Sequence, residues 1–180
     1  MKTVITGGTG LLGRVLLPFI LDREEELMIT SRHAPKEKAL KEKGAHFDLE
    51  SGAGMDTIVS GTHSILHLAS DTKTWSAKVD VQGTERLVRA AREAGVKHFI
   101  YISIVGTDRV PLKYYSVKIR TEEVIRNSGI PYTILRATQF HPFVDQLFRQ
   151  LLKFPIGLLP KKVQIQPVET AVVARRLYEL

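Results

Sequence analysis

The sequence predicts a doubly wound parallel α/β sheet, one domain spanning residues 1–180. Three observations carry the expectation. Short β-branched runs alternate with amphipathic stretches, and parallel neighbours need such crossovers. A glycine-rich turn stands directly after the first run, at Gly7–Gly13. The chain of 180 residues is 43% hydrophobic and has no cysteine, enough for one core without a disulfide scaffold or thiolate metal site.

Lys2–Thr6 reads as the first strand, followed by the glycine turn and a helix from about Leu11 to Asp22. Leu27–Thr30 is a second strand. A charged helical segment over Pro35–Lys43 closes at Gly44, and Ala45–Asp48 and His63–Leu68 are strands three and four. Over Val79–Ala94 the pattern is helical: Leu87, Val88 and Ala91 share a face opposite Glu85, Arg89 and Arg92, with Gly95 just past the end. Val96–Ile102 is the fifth and most apolar strand. A helix over Leu112–Ser128 stops at Gly129 and Pro131, and Tyr132–Arg136 is strand six. A helix (Pro142–Lys153), a loop (Pro155–Pro160), a short strand near Val163–Gln166 and a helix from about Val168 complete the chain.

The formal charge is +7, and all of the surplus lies in the second half. A polyanion would be attracted, but no helix-turn-helix, zinc finger or aromatic–basic interleaving supports a nucleic-acid partner. Arg14, Arg136 and Arg149 interrupt the likeliest apolar runs, so no membrane span is expected. The start of the chain turns glycine-rich too soon for a signal peptide, making a cytoplasmic protein the expectation. His63 and His67 lie ~13 Å apart along a strand and no carboxylate cluster joins them, so no metal site is expected. A hydrolase elbow of the Gly-x-Ser-x-Gly kind is absent from the sequence.

Thr6-Gly7-Gly8-Thr9-Gly10-Leu11-Leu12-Gly13 is the most informative stretch. Its glycines suit a tight turn, a close backbone approach to a pyrophosphate and close helix–sheet packing. The N–H groups opening the next helix then favour the diphosphate. Downstream, Met28–Ala34 contains no acid to hold a ribose 2′-hydroxyl, whereas Ser31 and Arg32 suit a 2′-phosphate. Lys36 and Lys38 add positive charge. NADP(H) is therefore expected in preference to NAD(H).

Tyr114 and Lys118 are four apart on a predicted helix and share a face. A lysine ammonium there is expected to lower the phenol pKa from about 10, so that Tyr114 exchanges a proton with a carbonyl while nicotinamide exchanges hydride. Ser103, ending strand five, could hydrogen-bond the same oxygen. Tyr115 is three residues from Lys118 and is the decoy.

These features, in this order, resemble the short-chain dehydrogenase/reductase superfamily in its atypical NmrA-like branch, with a Rossmann-like fold. The residues that carry the likeness are Thr6–Gly13, Ser31-Arg32, Asp48-Leu49 and His67-Leu68-Ala69-Ser70. Asp80-Val81-Gln82-Gly83-Thr84, Tyr101–Gly106, Tyr114–Lys118 and Leu135–Phe140 continue it over essentially the whole chain. The resemblance implies that Gly7, Gly8, Thr9, Gly10, Leu11, Leu12 and Gly13 bind pyrophosphate and Arg32 the 2′-phosphate. It assigns Asp48 and Leu49 to the adenine, and Leu68, Ala69 and Ser70 to the adenosine and pyrophosphate. Lys118 would hold the nicotinamide ribose, with Ala137, Thr138 and Phe140 flanking the nicotinamide. Ser103 and Tyr114 match the catalytic hydroxyls.

The function expected is an NADP(H)-dependent oxidoreductase acting on a small carbonyl or quinone-like molecule. Some members of the branch bind NADP(H) as sensors, so a non-catalytic regulator with a protein partner is the alternative. A sugar-nucleotide epimerase or dehydratase is a third reading. Family chains usually continue well beyond a segment like Gln166–Glu169, so residues 141–180 are expected to form only the beginning of a substrate lobe.

Overall fold

A computed structural model describes residues 1–21, 26–32, 42–72, 74–109, 112–151 and 166–180. Its strands are β1 (Thr3–Thr6), β2 (Leu27–Ser31), β3 (Gly44–His46), β4 (Ser64–His67), β5 (His98–Ile104) and β6 (Tyr132–Ala137). Its α-helices are α1 (Leu11–Ile20), α2 (Met55–Val59), α3 (Thr84–Glu93), α4 (Lys113–Arg126), α5 (His141–Leu151) and α6 (Thr170–Tyr178). The strands form one parallel sheet in the order β3-β2-β1-β4-β5-β6.

Period-two alternation sorts the strand side chains into two cores. Val4, Ile65 and Phe99 enter one cluster with Ile58 of α2, Leu87 and Ala91 of α3 and Ile125 of α4. Their neighbours Ile5, Leu66 and Ile100 enter the other, with Leu12 and Leu16 of α1 and Val173, Ala174 and Leu177 of α6. Helices therefore cover both faces, which is why the central strands read as almost unbroken apolar runs. The strand order reverses between β1 and β4, and Thr6 stands level with His67 there. Ligands of open α/β sheets bind beyond the carboxyl ends of the strands at such a point.

One element differs in kind from the sequence reading. The helix expected over Val79–Ala94 opens with a π-helical turn, Lys78–Gly83, which turns Asp80, Val81 and Gly83 inward before α3 begins. The strand expected near Val163–Gln166 falls mostly outside the described residues, and Gln166 is not in a strand. A parallel bridge joins Phe140 to Val168 instead, with Val168 N–H donating to the Gln139 carbonyl at 2.9 Å. Residues 35–41 of the expected charged helix, with Lys36 and Lys38, and the whole Pro155–Pro160 loop lie outside the described residues.

Candidate functional site

The turn after β1 is built by contacts that only glycine allows. Gly7 sits at φ +71°, and a Cβ there would lie 2.6 Å from the Ala69 nitrogen. A Cβ on Gly13 would lie 2.4 Å from the Gly8 carbonyl oxygen. The first contact seats the turn against the residues after β4, and the second draws α1 onto the turn. Gly10 N–H donates to the Gly7 carbonyl at 2.9 Å, and Arg14 Nε to the Thr9 carbonyl at 2.9 Å. Thr6 holds the neighbouring segment, because its carbonyl accepts from Leu68 N–H at 3.0 Å.

A cleft of about 190 Å³ lies over this junction. Gly7, Thr9, Gly10, Ser31, Arg32, Asp48, Leu49, Leu68, Ala69 and Ser70 line it, all expected from sequence, together with Phe47, Asp71 and Val79, which were not. The other turn residues, Gly8, Leu11, Leu12 and Gly13, are not part of that lining. Leu12 and Gly13 are buried, whereas Leu11 is 47% exposed. Ala137 and Thr138 instead line a second, shallower depression with Val168, Val172 and Arg176, and Phe140 packs against the α1–α6 core.

One end of the cleft is shaped by Asp48. Its carboxylate accepts from Glu50 N–H at 3.1 Å and from the Ser51 hydroxyl at 2.8 Å. Burial pushes that carboxyl up, but these bonds and the Arg32 guanidinium together hold it below its ordinary value. Arg86 donates to the carbonyls of Leu49 and Glu50, and Lys78 pairs with Glu50 at 2.9 Å.

Beneath the cleft lies a buried polar array. His67 is wedged between two hydroxyls, Nδ1 to Thr6 Oγ1 at 2.6 Å and Nε2 to Thr84 Oγ1 at 2.9 Å. Burial, reinforced by Lys118, drives its pKa from 6.5 to about 3. Lys118 is 3% exposed and donates to the Tyr101 hydroxyl at 3.1 Å. Burial lowers its pKa to about 8, against the opposing charges of Asp80 and Glu122. Asp80 is 1% exposed and accepts from Asp71 N–H at 3.0 Å.

The expected tuning of Tyr114 is corrected here. Its phenol is pushed up to about 12, chiefly by burial and further by Asp80, Tyr115 and Asp71, while the Ser70 hydroxyl offsets part of the rise. The Lys118 ammonium lies 5.8 Å from the Tyr114 ring centroid and donates instead to the Tyr101 hydroxyl and the Ile102 carbonyl. The i, i+4 spacing brings the two side chains together but does not choose the partner. Tyr101 arrives from β5, out of reach of a local pattern.

Ser103 is 2% exposed, and its buried hydroxyl makes no hydrogen bond among the described residues. Burial pushes the Glu122 carboxyl up, but Arg136 and Arg126 hold it below its ordinary value. Glu122 takes a bidentate contact from Arg136, at 2.9 and 2.7 Å, and one from Arg126 at 3.0 Å. Tyr115 is buried and accepts from Gln139 Nε2. Among the described residues no group of three His, Asp or Glu could hold a metal, and no helix is long and apolar enough to cross a membrane.

A parallel sheet in this order, with a glycine turn and a cleft at its reversal point, defines the class as a Rossmann-like α/β domain. The chain belongs to the NmrA-like family, matched over residues 1–166. It is 30% identical to photosystem II assembly factor Ycf39 of Cyanophora paradoxa over 149 residues, 78% of this chain and 46% of that protein. To quinone oxidoreductase 2 of Escherichia coli it is 28% identical over 137 residues, 73% of this chain and 46% of that one. Its fold superposes on Citrobacter sp. triphenylmethane reductase complexed with NADP(H) with a TM-score of 0.80 at 21% identity, covering 99% of this chain and 64% of that one. The chain thus spans about half the length of these two curated relatives.

Proposed function

We propose that the chain is an NADP(H)-dependent oxidoreductase reducing a small carbonyl or quinone-like compound. One observation carries the reading: the glycine turn, Arg32 and the Asp48–Leu49 and Leu68–Ser70 segments converge on a single cleft at the strand reversal. The cleft suits the adenosine diphosphate part of a dinucleotide, because Gly7 and Gly10 bring bare backbone to its wall. Arg32 supplies a cation where Met28–Ala34 has no acid. The activity named for E. coli quinone oxidoreductase 2 and the NADP(H) complex of the Citrobacter reductase support it.

Nicotinamide, when bound, supplies the hydride. The Gly7–Gly13 turn holds the pyrophosphate, Arg32 the 2′-phosphate, Asp48 and Leu49 the adenine, and Lys118 the nicotinamide ribose. Ala137, Thr138 and Phe140 close the nicotinamide end. Tyr114, with a pKa near 12, keeps its proton at neutral pH and gives it to the developing alkoxide. Ser103, whose buried hydroxyl has no partner among the described residues, orients the carbonyl.

The likeness to an assembly factor supports a second reading, a non-catalytic regulator in which the same cleft reports NADP(H) to a protein partner. NADPH oxidation against a panel of aldehydes and quinones, with wild type and Tyr114→Phe, separates the two. Aldehyde reduction should fall by about 10²–10⁴ in the variant, the usual worth of a positioned proton donor. Quinone reduction, which does not strictly need a protein proton donor, should survive. Cofactor binding without turnover on any compound would contradict the enzyme and favour the regulator.

A further inference from the structure

Trp75 is the chain's single tryptophan and, among the described residues, the only non-glycine with positive φ, +53°. Bulky side chains avoid that region, and departures of this kind collect at ligand sites. The conformation is imposed by Asp71. Its carboxylate accepts from Thr74 N–H at 3.1 Å, from the Thr74 hydroxyl and from Ser76 N–H at 3.2 Å, pinning the chain on both sides of Trp75.

The result is an indole held where it gains little from the core. Trp75 is 40% exposed, and its ring centroid lies 6.2 Å from that of Tyr114, inclined at 31°. Tyr114 in turn touches Tyr115, centroid to centroid at 6.4 Å. In sequence Trp75 lies between two residues that line the cleft, Asp71 and Val79, and its indole packs against the proposed proton donor, Tyr114.

We propose that Trp75 and Tyr114 form an aromatic platform that selects a flat, conjugated substrate, such as a bicyclic quinone, over an aliphatic carbonyl. The platform would stack the substrate's π-face with its carbonyl oxygen toward the Tyr114 hydroxyl. This rests on the oxidoreductase reading above and specifies its substrate class. Trp75 is a specificity residue here, with no part in proton transfer.

The lone tryptophan makes the test direct. With NADP⁺ saturating, so that nothing turns over, 1,4-naphthoquinone is titrated while emission intensity and lifetime are followed. The expected result is saturable quenching with unchanged lifetime. Trp75→Ala should raise the KM for naphthoquinone about tenfold and leave the KM values for NADPH and an aliphatic aldehyde within about twofold. Trp75→Gly, which suits the positive φ, should fold as wild type does and show the same rise. Quenching that grows linearly as the lifetime shortens, as for free tryptophan amide, would overturn the proposal, and so would an unchanged naphthoquinone KM in both variants. A parallel calorimetric titration showing no NADP(H) binding would overturn the cofactor reading, and the proposal with it. Intact binding with collisional quenching would overturn the platform alone.

Discussion

Lys118 shows how one buried cation can be held in place by groups far apart in the chain. Its ammonium donates to Tyr101 on β5 and is kept charged by Asp80 on the π-turn and Glu122 on its own helix, while burial brings its pKa down to about 8. If that charge holds the nicotinamide ribose, kcat/KM with NADPH should fall as pH rises through about 8. Lys118→Met should be low throughout, and Lys118→Arg should lose the alkaline limb because guanidinium stays charged. A wild-type profile flat to pH 10 would remove Lys118 from the site. The Tyr114–Lys118 spacing was readable in sequence because a helix face follows from i, i+4. The identity of the lysine's partner was not, since it depends on a strand residue 17 positions away. Trp75 escaped for a related reason: its backbone is dictated by a side-chain clamp that no hydrophobic period records.

Among the elements, β1 and β4 and the helix behind them are tied by His67, which joins Thr6 on β1 to Thr84 on α3. An unfolded chain protonates this imidazole near 6.5 and the native one only near 3. Between those values the unfolded state holds the extra proton, so native stability is full above pH 6.5 and is lost as pH falls toward 3. The slope is about 1.4 kcal/mol per pH unit, or about 2 kcal/mol between pH 7.5 and 5.0. That interval stays above the lowered carboxyl values of Asp48 and Glu122. Urea midpoints of wild type and His67→Asn at the two pH values check it. The wild type should lose stability on acidification and the variant should not, and equal losses would mean that His67 is not the source. Strand order and helix placement were legible in the alternation of apolar runs with amphipathic stretches. The π-turn was not, because Lys78–Gly83 carries the same apolar spacing as an ordinary first helical turn.

For the molecule as a whole, the two-sided sheet brings four sequence-distant segments, at the ends of β1, β2, β3 and β4, to one opening. Their glycines and arginine were visible in the sequence because turn geometry and charge leave a local mark. Phe47, Asp71 and Val79 were not, because their place in the lining is fixed only when the strands assemble. Ala137 and Thr138 border a separate depression. At the opposite end of the site, Arg32 should distinguish two cofactors that differ by one phosphate. Calorimetric titration of wild type and Arg32→Ala with NADPH and NADH tests it most directly. Wild type should bind NADPH at least about tenfold more tightly than NADH, and the variant should lose that margin while binding NADH as before. Equal affinities in wild type, or a margin untouched by the substitution, would contradict the account.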